Sequence, residues 1–152
     1  MQKIPFGVIV AIALTGIVVS ALAASLLIAY QSVPSTGNVK AVGVGVYSDS
    51  GCNNNVTSID WGFLEPGTTI NKTVYIRNNG NVPVTLNITT NGWNPISAHD
   101  YITLSWNREG YVLGTGQSTR VAQAFLTLSV SSNTTGITSF SFDIIITGVE
   151  HA

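Results

Sequence analysis

Two histidines, one cysteine and seven acidic side chains are the groups in this 152-residue chain that could hold a metal, attack a substrate or move a proton. Their spacing supports none of these. His99 lies in the run ISAHDY and His151 is next to last; neither shares a metal-ligand spacing with the other or with a carboxylate pair. A blue-copper centre on a small β-domain needs two histidines, a cysteine and usually a weak axial methionine. Here Met1 is the sole methionine, and no late cysteine is followed shortly by a histidine. The acids Asp49, Asp60, Glu65, Asp100, Glu109, Asp143 and Glu150 are scattered, and Asp49-Ser50-Gly51 lacks the ligands that would complete a calcium loop. No nucleophile elbow, phosphate loop or dinucleotide fingerprint occurs. The expectation is a non-enzyme with no cofactor and no metal, its carboxylates solvated or capping turns.

Other residues carry different chemistry. Cys52 has no partner cysteine in the chain, so it is a free thiol in an Asn-rich loop or the donor of a bond to a neighbouring chain. Four Asn-x-Thr sequons begin at Asn55, Asn71, Asn87 and Asn133. Each falls in a predicted loop or on an outward strand position, where a glycan could be carried on an external surface. Trp61, Trp93, Trp106, Tyr101 and Tyr111 fit either the core and corners of a β-sandwich or a surface that binds sugar or protein.

What positions these residues is legible in composition and period. Only 9% of residues are charged, against roughly 25% in an average soluble protein. The formal net charge of -1 leaves no basic face for nucleic acid. From Ile4 to Tyr30 the chain is uncharged, and Thr15, Ser20 and Ser25 are its polar members before Tyr30. A membrane span needs about 20 apolar residues, and a helix satisfies its backbone in hydrocarbon. Residues 1–30 are therefore predicted to form a hydrophobic, transmembrane-type helix. It would anchor the chain through residues 4–30, with Lys3 inside and the rest outside. Gly7 and Gly16 would permit close helix packing. A cleaved signal competes: Ala21-Leu22-Ala23 could be its cleavage site, although the apolar run outlasts the ~7–15 residue core of such signals. QSVPSTGNVK then reads as a linker over residues 31–38, ahead of a β-domain over 39–148.

That domain alternates apolar and polar residues repeatedly. VKAVGVGVY places Val42, Val44 and Val46 on one face. SIDWGFL is a short strand, and Pro66-Gly67 suits the centre of a type II turn. Ile70, Val74 and Ile76 point inward opposite Asn71, Thr73, Tyr75 and Arg77, with Lys72 a misfit on the inward phase. Asn78 to Asn81 turn the chain, and Val82, Val84, Leu86 and Ile88 share the next face. Further faces are Ile102, Leu104 and Trp106; Ala124, Leu126, Leu128 and Val130; and Phe140, Phe142, Ile144 and Ile146. The predicted fold class is all-β: an antiparallel, immunoglobulin-like sandwich of seven or eight strands behind one N-terminal helix.

The stretch DWGFLEPGTTINKTVYIRNNGNVPVTLNIT, Asp60 to Thr89, resembles a pattern of archaeal extracytoplasmic β-sandwich proteins. It joins a Leu-x-Pro-Gly turn, a hydroxyl-rich strand and Asn-x-Gly-Asn-x-Pro. It is also similar to the camelysin/TasA type of filament protein and to archaeal thread and bundling-pilus subunits. The resemblance implies a structural role in which a strand of one subunit completes the sheet of the next. The segment NVKAVGVGVY, with Val42, Val44 and Val46, is the candidate donor, or else the first strand of its own domain. The expected layout also resembles archaeal type IV pilins, which join an N-terminal hydrophobic helix to an immunoglobulin-like domain, but MQKIPF lacks the small residue that marks a prepilin cleavage site. The expected function is a non-catalytic cell-surface subunit of an extracellular filament, self-associating into a homopolymer, with glycans as further partners and no nucleic acid. The alternative is a single-pass anchored module that binds a partner protein or glycan outside the cell. Either places the domain outside the cell membrane.

Overall fold

The computed structural model describes residues 33–152, Val42 by its backbone alone. Nine strands and one 3-10 helix occupy them. The first five strands are β1 (Val33–Val42), β2 (Val44–Tyr47), β3 (Ser58–Leu64), β4 (Thr69–Asn78) and β5 (Val84–Asn94). After the 3-10 helix Ile96–Asp100 come β6 (Ile102–Trp106), β7 (Val112–Leu113), β8 (Val121–Val130) and β9 (Phe140–Glu150). They form a five-stranded sheet in the order β3-β1-β9-β5-β7 and a four-stranded sheet in the order β2-β4-β8-β6.

Period-two alternation decides which faces meet. In β8, Ala122, Ala124, Leu126, Leu128 and Val130 are buried; in β9, Phe140, Phe142, Ile144 and Ile146 are. With Val74 and Ile76 of β4 and Leu86 of β5 they join one core lined by both sheets. Each fully buried Val, Leu, Ile or Phe among them stabilises the fold by about 1.5–3 kcal/mol. Lys72 on β4 is half-buried, opposite Leu126.

The turns follow their residues. Thr68 N–H donates to the Glu65 carbonyl at 3.1 Å around Pro66-Gly67, and Gly67 takes φ 82°, the value a type II turn requires. Between β4 and β5, Asn78 is fully buried. Its Nδ2 donates to the carbonyls of Val82 (2.7 Å), Gly114 (3.2 Å) and Leu113 (3.3 Å), while its Oδ1 accepts the Gly80 N–H at 2.9 Å. One buried amide thus ties two loops, satisfying groups that would otherwise be stranded.

Four expectations are corrected. The strand predicted over 39–47 is two strands in different sheets, broken at Gly43, whose φ of 73° disfavours any side chain. A Cβ there would lie 2.8 Å from the Gly148 carbonyl oxygen. With this break and the short β7, the strands among the described residues number nine rather than seven or eight. The fold is also not wholly antiparallel, because β1 runs parallel to β9. Finally, the linker placed over 31–38 is strand from Val33 onward. The predicted helix over residues 1–30, with Gly7 and Gly16, lies outside the described residues. Among the described residues no helix is long and apolar enough to cross a membrane. The described fold is therefore all-β with two sheets.

Candidate functional site

The feature with the most to say about function is β1 and the slot it fills. On one side β1 pairs antiparallel with β3, from Val33 opposite Leu64 to Asn38 opposite Ser58. On the other it pairs parallel with β9, from Ser35 opposite Phe140 to Val42 opposite Thr147. Among the described residues β3 has no other neighbour in its sheet, so there β1 alone fastens it to the sheet.

The inward residues of β1 are small: Val33, Ser35, Gly37 and Val39 are buried, while Pro34, Thr36, Asn38 and Lys40 are exposed. The reason is Trp61 on β3, only 2% exposed, which fills the space above Gly37. A Cβ on residue 37 would lie 3.1 Å from the Trp61 Nε1 and 3.0 Å from the Ile144 Cδ1. The indole N–H has no acceptor among the described residues. Such an orphan costs about 1–3 kcal/mol, offset by the large apolar area that a buried tryptophan removes from water. At the outer face Lys40 Nζ meets Asp143 Oδ2 at 2.6 Å. The ammonium hydrogen bond holds the Asp143 carboxyl below its ordinary value of 3.8. Both ends of this pair touch solvent, so it orients β1 more than it stabilises it.

Beyond Gly43 the chain crosses to the four-stranded sheet, where Val44 and Val46 of β2 are buried. The loop after β2 is organised by Asp49. Its carboxylate accepts the N–H groups of Asn54 at 2.8 Å and Asn53 at 3.1 Å, and these two backbone donors pull its pKa down. Cys52 sits inside this turn at φ 54°, buried, and burial pushes its thiol pKa up. That placement favours the inert thiol over the bond to a neighbouring chain. The returning segment bridges Asn55 to Tyr47, and a cavity of about 330 Å³ opens beside it, lined by Val39, Tyr47, Asn55, Thr57 and Asn79 among others.

The sequon asparagines are spread over the domain. Asn55 is exposed at the cavity, and Asn133 is exposed in the loop before β9. Asn71 is exposed on β4, its Oδ1 accepting the Thr127 hydroxyl at 2.7 Å. Asn87 is half-buried on β5, opposite Thr147. Val42 is opposite Thr147 on the parallel side, so the three valines proposed as one donor face are divided between two sheets.

The aromatic residues divide as well. Trp61 and Trp93 belong to the core; Trp93 stacks on Phe142 with ring centroids 4.2 Å apart and planes 3° apart. Tyr111 is exposed beneath the Arg108 guanidinium, 4.6 Å from its ring centroid. Trp106 is half-buried and donates through Nε1 to Glu109 at 2.7 Å. His99 is exposed at the edge of the Trp93 ring, and His151 Nδ1 lies 3.0 Å from the Thr85 hydroxyl. No cluster of three or more His, Cys, Asp or Glu side chains suited to a metal occurs among the described residues. Sequence reasoning missed the β1 slot, since Pro34, Ser35 and Gly37 look like loop residues. The signal that could have found it is Trp61, a large ring that needs a partner strand with small inward side chains. A scan of the chain against protein-family models and a search among curated proteins each find no match.

Proposed function

We propose that this protein is a non-catalytic structural subunit of an extracellular filament, in which β1 of one copy occupies the slot between β3 and β9 of the next. The observation that carries this reading is the place of β1. It bridges two other strands, and its inward face is small enough to be held mainly by its two hydrogen-bond ladders. A strand of the same pattern from a neighbouring copy fits the slot equally well, which is β-strand addition between like chains. Gly43, at a positive φ, is the pivot from which β1 departs.

The test is a disulfide across the slot. Asn38 and Ser58 are exposed partners, and the Val39 N–H to Thr57 carbonyl bond next to them marks a closely spaced pair. In the full chain carrying Asn38→Cys and Ser58→Cys, oxidation after assembly gives a covalent ladder of multimers if β1 is exchanged. It gives cross-linked monomers if β1 stays at home. Negative-stain images showing only discrete particles under every assembly condition, with monomeric cross-links, overturn the filament reading. A second reading, a module that binds a partner or glycan outside the cell, draws support from the cavity beside Tyr47, Asn55 and Asn79. Saturable glycan or protein binding by a species that forms no fibres would select it.

A further inference from the structure

The cavity beside β2 has an occupant that this chain can carry on its own backbone. Asn55 lies directly opposite Tyr47 across an antiparallel bridge. The hydrogen bonds flank this pair: Ser48 N–H donates to the Asn54 carbonyl at 2.9 Å, and Val56 N–H to the Val46 carbonyl at 2.9 Å. Tyr47 and Asn55 are therefore a non-hydrogen-bonded pair, the kind whose side chains stand closest, with Cβ atoms about 4.5–5.5 Å apart on one face. Asn55 is exposed, and all three residues of its sequon, Asn55-Val56-Thr57, line the cavity.

The ring beside Asn55 is held in place. A Cβ on Gly45 would lie 2.5 Å from the Tyr47 Cε2 and 2.6 Å from its hydroxyl oxygen, so the ring lies back over Gly45, where a larger residue would displace it. Asn79 Nδ2 donates to the Tyr47 hydroxyl at 3.4 Å. Tyr47 is still half-buried only, with part of its surface open. The cavity, about 330 Å³, is at the small end of the ~300–1,000 Å³ range of small-molecule sites. Among the described residues its lining is uncharged: Tyr47, Asn55, Thr57 and Asn79 supply the polar groups, and valines much of the rest. Neutral donors and acceptors beside an aromatic wall suit an uncharged polyhydroxyl ring better than an ion. Its hydroxyls take the hydrogen bonds, and its C–H face packs on the tyrosine.

We propose that Asn55 carries an N-linked glycan whose first sugar seats in this cavity against Tyr47. The attachment is a substitution at the sugar C1. The C1–O bond to the diphosphate of a lipid-linked sugar donor breaks and the C1–Nδ2 bond forms; the diphosphate leaves with the bonding pair, and Nδ2 gives up one proton. The tether selects the occupant, because a sugar fixed to Asn55 begins beside the ring at an effective concentration that no free sugar matches. The other sequons are placed differently. Asn71 stands on β4 with its Oδ1 accepting the Thr127 hydroxyl, Asn87 is half-buried on β5, and Asn133 is exposed in a loop outside the strands. The proposal rests on the extracellular part of the reading above and not on strand exchange.

The test uses the full chain secreted from cells that attach N-acetylglucosamine-linked glycans, trimmed enzymatically to one sugar per site. Mass spectrometry of glycopeptides should find Asn55 occupied. The trimmed protein should melt a few degrees above its Asn55→Gln variant, while Asn133→Gln should show no such difference. In a Tyr47→Leu background the gain from the Asn55 sugar should vanish, since the two sites touch. In the otherwise unaltered chain, proton spectra should show the Asn55 sugar ring shifted to high field by the tyrosine ring current, a readout that needs no Tyr47 variant. Asn55 found bare, a gain that survives Tyr47→Leu, or sugar protons at their free-solution positions overturns the proposal. None of these results bears on the disulfide ladder across the slot, and a chain that forms no fibres can still give every expected one.

Discussion

Replacing Gly37 by alanine probes the slot most directly. Gly37 is not at a positive φ, so the backbone accepts alanine, and only space opposes it. The new Cβ would lie 3.0 Å from the Ile144 Cδ1, 3.1 Å from the Trp61 Nε1 and 3.4 Å from the Ile144 Cγ1. Ordinary carbon contacts sit near 3.5–4.0 Å, so the shortfall is roughly half an ångström on each side. Neither neighbour has a free direction, since Ile144 is 0% and Trp61 2% exposed. Overpacking of this kind costs about 1–3 kcal/mol. Alanine recovers about 0.4–1 kcal/mol by restricting the unfolded chain, which leaves a net loss of about 1–2 kcal/mol. In a domain of this size that lowers the melting temperature by roughly 3–10 °C. Urea unfolding followed by tryptophan fluorescence reads the same loss as a lower midpoint. In a Trp61→Phe background the penalty should shrink by about 1 kcal/mol, because the two sites touch. A Gly37→Ala protein as stable as the wild type, or an equal penalty in both backgrounds, would refute the account of why β1 is built from small residues.

Three further outcomes follow from other sites. Asp49 and Asp143 both have pKa values held below 3.8, so the unfolded chain binds more protons in acid, and the stability they give is present above that value and lost below it. Thermal melts from about pH 5 down to about pH 2 should show a falling midpoint, with a shallower slope in Asp49→Asn. Gly43→Ala should cost at least about 2 kcal/mol in urea unfolding, because it combines a left-handed backbone with a Cβ 2.8 Å from the Gly148 oxygen. Asn78→Ala should cost about 1–3 kcal/mol by leaving the Gly80 N–H and the Val82, Leu113 and Gly114 carbonyls short of a partner; amide exchange at Gly80 should quicken with it.

The strands that could be read from sequence are those where burial is one-sided. In β4, β8 and β9 alternation alone placed Val74, Leu126 and Phe142 inside, because a strand buried on one face writes its faces in period two. β1 escaped that reading because its inward positions are occupied by Ser35 and Gly37, shaped by a ring on another strand rather than by their own hydrophobicity. Gly43 looked like one more permissive residue in an alternating run, and only the φ and the nearby Gly148 carbonyl reveal it as the point where the chain changes sheets. For Trp93 the sequence leaves a core or corner place and a binding surface both open; it is core, since β5 shifts register between Asn91 and Asn94 and lets it stack on Phe142.

The parallel course of β1 and β9 also sets how the domain would carry load. Val33 and Phe140 open their strands at one end of the five-stranded sheet, and Val42 and Thr147 lie toward the other. Tension applied between Val33 and Glu150 would therefore slide the two strands past each other lengthwise. Ser35 to Val42 are in register with Phe140 to Thr147 over eight residues, and the evenly spaced bonds of a parallel ladder share such a force at the same moment. Peeling from one end would break them one by one. A chain pulled along this axis resists by shear, and its first barrier to extension is the whole ladder.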